Sequence, residues 1–153
     1  MDAPMRDLMQ ESFDLLAREN VDIEHQASPV HDYAFTVFPA AKAYEGFLKK
    51  LLYELKLINR TQYTGDRFRI GKSLNPHLPK RYQYDWVFAK LATYCGGEQL
   101  PFRLWQVWKR ARNQIFHYFP DRHAIVSLPE AEGLVLEITQ AMEFALDGCK
   151  VFG

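Results

Sequence analysis

Phe35-Thr-Val-Phe-Pro-Ala-Ala-Lys-Ala-Tyr-Glu-Gly-Phe-Leu-Lys-Lys-Leu-Leu-Tyr-Glu-Leu-Lys-Leu-Ile58 is the stretch that decides the fold class. Ala41, Tyr44, Leu48, Leu51, Leu52 and Leu55 recur at three- and four-residue spacing, the period of a helix with one buried face. Such a helix needs partners, and the flanking sequence supplies them in the same period. Upstream, Met5, Leu8, Met9, Phe13 and Leu16 predict an amphipathic helix over 3–19 with an acidic outer face, followed by a turn around Ser28-Pro29. Downstream, Pro101 opens a helix, where its missing N–H costs nothing. Leu104, Trp105, Trp108, Ala111, Ile115 and Phe119 carry that helix to Pro120. After Pro129, the residues Leu134, Val135, Ile138, Met142, Ala145 and Leu146 predict a last helix that closes near Gly148.

The middle of the chain reads differently. Residues 59–82 hold Gly65, Gly71, Pro76 and Pro79 among basic and polar residues, with no alternating apolar run, and are expected to form a long basic loop. Tyr84, Val87, Phe88 and Leu91 predict a short helix that stops at Gly96-Gly97. There is no internal repeat and no low-complexity tract. The expectation is an all-α fold: a bundle of about five helices forming a single domain over residues 1–153.

Composition agrees. A chain of 153 residues with 48% apolar and 25% charged residues can bury a core without metals or cross-links. No run of about 18 apolar residues could cross a bilayer. Asp2, Arg6 and Asp7 stand where a signal peptide would begin its apolar segment, so no membrane partner and a cytoplasmic location are expected. Cys95 and Cys149 form no Cys-x-x-Cys pair, which excludes zinc ribbons and thioredoxin-type sites. They read as two reduced core cysteines, with a single disulfide as the alternative.

Formal charge is zero, but it is unevenly spread. Residues 42–122 hold sixteen Lys and Arg against six acids, while both ends are acidic. A basic middle is what a phosphate backbone requires, although solvated helix faces produce similar patterns.

The chemistry concentrates in Trp108-Lys-Arg-Ala-Arg-Asn-Gln-Ile-Phe-His-Tyr-Phe-Pro120. Arg112 interrupts the apolar stripe of Trp105, Trp108, Ile115 and Phe119, where an isolated guanidinium is costly to bury. On an α-helix Arg112 and His117 stand about 140° apart and can flank one cleft. An imidazole can take the proton of a ribose 2′-OH or give one to the leaving 5′-oxygen near neutral pH. A guanidinium can grip phosphoryl oxygens and stabilise the charge that builds on them. A helix-terminal His can also do no more than satisfy the last carbonyls, so spacing alone does not separate catalysis from structure.

The string Arg112-Asn113-Gln114-Ile115-Phe116-His117 resembles the Arg-x4-His signature of the HEPN superfamily, which includes ribonuclease toxins of toxin–antitoxin and phage-defence systems. Phe38–Leu52 resembles the earlier helix of the RNase LS toxin type, whose active-site Glu corresponds to Glu45. Tyr118 follows His117 directly, whereas the small nucleotidyltransferase-paired toxins carry Tyr two residues after the His. The resemblance implies a metal-independent endoribonuclease that needs no cofactor. It also implies a homodimer through the signature helices and inhibition by a protein antitoxin. His117 is then the acid/base and Arg112 the phosphate stabiliser, with Asn113 and Glu45 in support. Lys109, Arg110, Lys72, Lys80 and Arg81 are expected to track the RNA backbone. Two other readings remain open: a non-catalytic HEPN module that binds nucleotide, RNA or protein, and a helical adaptor whose basic face docks an acidic protein.

Elsewhere the signals are weak. His25 and His31 flank a turn without a ligand set, and His123 reads as exposed. Gly71-Lys72-Ser73 lacks the upstream glycine and strand of a phosphate-binding loop. Trp86, Trp105 and Trp108 read as core or dimer packing before base stacking.

Overall fold

The computed structural model describes residues 1–24, 30–117 and 125–148. Every regular element among them is helical. In chain order these are α1 (Ala3–Glu24), α2 (Ala34–Glu54), α3 (Arg60–Thr64), α4 (Ile70–Ser73), a 3₁₀ turn (Lys80–Asp85), α5 (Phe88–Tyr94), α6 (Gln99–Trp108), a π turn (Lys109–Gln114) and α7 (Leu128–Gly148). No helix among the described residues is long and apolar enough to cross a membrane.

The apolar spacing of α2 makes it the centre of the bundle. Val37, Ala40, Tyr44, Leu48, Leu51 and Leu52 are all buried. They meet α1, α6 and α7, and further along α3 and α4. Ala40 and Ala41 on α2, with Ala141 and Ala145 on α7, keep the helix surfaces low where backbones come close. Each large side chain on this seam contributes roughly 1.5–3 kcal/mol by leaving water.

Pro39 lies inside α2 and has no N–H to give the helix ladder. The next backbone N–H, that of Ala40, donates to the Ser12 hydroxyl on α1 at 2.9 Å. Ser12 is fully buried, so this bond fastens α1 to the proline turn from inside the core. At the far end of α2, Lys56 takes a left-handed φ of 58°. Its N–H donates to Tyr53 O, and that of Leu57 to Leu52 O, reversing the chain where a glycine ordinarily would.

The segment before α7 is stitched to the head of α2. Tyr33 N–H donates to Val126 O at 2.9 Å, and Asp32 Oδ1 accepts from the N–H groups of Ala34 and Val126. Ser127 then caps α7 reciprocally with Glu130. The hydroxyl and backbone N–H of Ser127 hold the Glu130 carboxyl below its ordinary range.

Two expectations change. Residues 59–82 are a folded excursion rather than a long loop. An Asn59/Gln62 capping box starts α3, the Ser73 hydroxyl donates to Asp85 O at 2.6 Å, and Trp86 Nε1 donates to Asn75 O at 2.8 Å. The bundle therefore carries more, shorter helices than the five expected. The cysteines also differ from expectation, since Cys95 is disulfide-bonded and not a reduced thiol. Cys149, the other cysteine of the sequence, lies outside the described residues, as do His25, the Ser28-Pro29 turn, Tyr118, Phe119, Pro120 and His123.

Ser12→Ala, which strands the buried Ala40 N–H, is expected to lower stability by about 1–3 kcal/mol. Lys56→Gly removes the left-handed strain and is expected to raise it by about 1 kcal/mol. Urea denaturation of both variants beside the parent chain checks the two signs together.

Candidate functional site

One side of α2 borders an open cleft. Phe38, Ala41, Lys42, Glu45, Gly46 and Lys49 lie at three- and four-residue steps and form one wall of a cleft of about 460 Å³. Arg112 and Phe116, from the π turn and the bend after it, form the opposite wall. Across it, Arg112 Nε donates to Glu45 Oε2 at 3.1 Å, joining positions 67 residues apart. Each side chain of the pair keeps about a third of its surface in water, 39% for Arg112 and 32% for Glu45. Solvent therefore screens the pair, and its value lies in geometry more than in stability.

Glu45 takes the Nε edge of the guanidinium. Among the described residues no acceptor engages its terminal nitrogens, which leaves that edge for a ligand. Lys42 and Lys49 stand at three positions before and four after Glu45, with no carboxylate partner among the described residues. Three cations against one carboxylate give the cleft lining a positive balance, the sign that attracts an anion. Its mouth is apolar: Phe38, 55% exposed, meets Phe116 edge to face with ring centres 5.4 Å apart.

Arg112 is held from behind by Trp108, whose ring centre lies 5.8 Å from the guanidinium carbon. That indole is positioned by packing and not by its N–H, because Trp108 Nε1 is buried without a hydrogen-bond partner among the described residues. Gly71 makes room for it: a Cβ there would come within 2.1 Å of the ring. The glycine of the Gly71-Lys72-Ser73 string is thus a seat for tryptophan, which accounts for it without any phosphate loop.

The backbone that carries Arg112 is a π turn, and this alters the expected angle to His117. A π turn winds more widely than an α-helix, and it ends at Gln114, three residues before His117. The α-helical separation of 140° no longer holds over this segment. His117 lies exposed in the bend that follows, and Asn113 is half-buried within the turn.

The other expected residues fall elsewhere. Arg110 pairs with Glu137 of α7 at 2.9 Å, and Lys109 sits 5.2 Å from the Trp105 ring centre. Both line a separate depression with Arg103, Gln106 and Gln114 and do not line the Arg112 cleft. Lys72, Lys80 and Arg81 belong to the 59–87 excursion, where Lys80 is exposed. Lys42, Lys49, Phe38 and Phe116 were not among the expected site residues. The signal for the two lysines was present in the sequence, since both share the helix face of Glu45.

Gly71→Ala forces the Trp108 ring off its seat and is expected to cost about 1–3 kcal/mol of stability, an overpacking effect read by urea denaturation. Gly97→Ala, with open space around its Cβ, is the control and is expected to change little. No family model, curated protein or solved structure matches this chain.

Proposed function

We propose that this chain is a metal-independent endoribonuclease of HEPN type, acting as a homodimer. The observation that carries the reading is the Arg112–Glu45 pair at 3.1 Å in a cleft flanked by Lys42 and Lys49. A guanidinium clamped on one edge and open on the other is pre-oriented for two-point contact with a phosphodiester.

The reaction is a transesterification within RNA. One His117 removes the proton from the ribose 2′-OH, whose oxygen attacks the adjacent phosphorus. The bond from phosphorus to the 5′-oxygen breaks, and that oxygen receives a proton from a second imidazole. The products are a 2′,3′-cyclic phosphate and a 5′-hydroxyl. Arg112 neutralises the charge on the non-bridging oxygens as the pentacoordinate state forms. Glu45 fixes the guanidinium, Lys42 and Lys49 hold flanking phosphates, and Asn113 supports phosphate or partner contacts.

Two imidazoles call for two chains, since each copy brings one His117 to the signature. The exposed rings of Phe35 and Phe38 beside the cleft provide apolar surface for a second copy. The toxin role, the protein antitoxin and a place in phage defence follow from the family resemblance. Cytoplasmic action follows from the RNA target. The bonded state of Cys95 pulls the other way, because cytosolic thiols are kept reduced.

The test is cleavage of mixed cellular RNA in EDTA by the purified chain and its variants. His117→Ala is expected to reduce the rate by on the order of 10²–10⁴. Arg112→Ala is expected to cost on the order of 10²–10³, and Glu45→Gln about tenfold. Cyclic phosphate ends that depend on His117 support the proposal. Absence of cleavage by a folded wild-type dimer overturns catalysis and turns the cleft into a binding surface.

A further inference from the structure

The 3₁₀ turn Lys80–Asp85 sets two tyrosines on the outside of the molecule, Tyr82 at 43% and Tyr84 at 77% exposure. No large hydrophobic side chain among the described residues is more exposed than Tyr84. Both are organised by cations. Lys72 Nζ of α4 stands 4.6 Å from the Tyr84 ring centre and 5.6 Å from that of Tyr82, and donates to the Tyr84 hydroxyl at 3.3 Å. Arg81 Cζ lies 4.8 Å from the Tyr82 ring centre. Neither cation has a carboxylate within ion-pair distance among the described residues.

We propose that Lys72, Arg81, Tyr82 and Tyr84 form a docking platform for single-stranded RNA, separate from the Arg112 cleft. The choice of RNA rests on the ribonuclease reading above. The strandedness rests on the platform itself. A ring stacks on any unpaired base through its π-face, whereas bases within a duplex are already stacked and cannot accept it. Lys72 covers part of Tyr84 and fixes its orientation. With 77% of the residue exposed, the remaining ring surface is open to a base. Lys72 and Arg81 are then the groups that meet the flanking phosphates.

Platform and cleft are linked through one packed side chain. Lys72 follows Gly71, Gly71 lies against the Trp108 ring, and Trp108 backs Arg112.

The test is fluorescence anisotropy with the full chain and a 2′-O-methyl RNA of about 12 nucleotides, single-stranded or annealed to its complement. Cleavage of the unmodified RNA is followed in parallel. Wild type is expected to prefer the single strand, and Tyr84→Ala to weaken binding about tenfold. Tyr84→Phe, which keeps the ring, is expected to bind within about twofold of wild type. Lys72→Ala is expected to reduce the salt slope by about one. Because Tyr84 is exposed, its variants should melt with the parent, which circular dichroism verifies. Wild-type binding that is absent, indifferent to strandedness or unaffected by Tyr84→Ala overturns the platform, and continued cleavage then leaves the nuclease standing. Tyr84-dependent binding of single strands without any cleavage keeps the platform and overturns the nuclease.

Discussion

The cleft depends on a hydroxyl that never sees water. Tyr44, fully buried on α2, donates to Leu104 O of α6 at 3.0 Å. Burial drives its pKa far above the ordinary tyrosine range, so it remains a neutral donor at any relevant pH. The bond satisfies both a buried phenol and a backbone carbonyl, and it fixes how α6 lies on α2. Glu45 is the next residue on α2, and Arg112 follows α6 through the π turn. The geometry between the carboxylate and the guanidinium is therefore inherited from a neutral hydrogen bond in the core.

This division of labour suits an anion site. A fully buried ion pair would have paid heavily for desolvation and lost its accessibility to ligand. Here the buried contact is neutral and the charged one is half-exposed. The fold can hold three cations around one carboxylate because the core, and not the charges, supplies the cohesion. Packing of Trp108 on Gly71 extends the same arrangement to the guanidinium's far side.

Helices α2 and α7 were legible because each is long enough to repeat its apolar spacing several times. The 59–87 excursion was not, because its elements run four to six residues and are defined by caps and cross-bonds. Ser73 to Asp85 O, or Gln62 to Asp85, leaves no period in the sequence. The expected importance of Arg112 had a physical reason behind it, a cation in an apolar stripe, and the structure supplies its partner. The pairing of Arg110 with Glu137 could not be read, because it depends on the direction in which α7 crosses the π turn. Lys42 and Lys49 share the helix face of Glu45, but surface lysines on a helix are common and their meaning comes only from the wall opposite.

The π turn at Lys109–Gln114 makes this segment a point of tolerance to length. Its wider winding absorbs a residue that a continuous α-helix would not need. Removing one residue within it lets the segment return to α geometry while the chain beyond keeps its direction, whereas the same deletion inside α6 swings everything downstream by about 100°. The consequence is local: a one-residue change here spares the bundle and re-aims only the side chains carried on the turn itself, Arg112 among them.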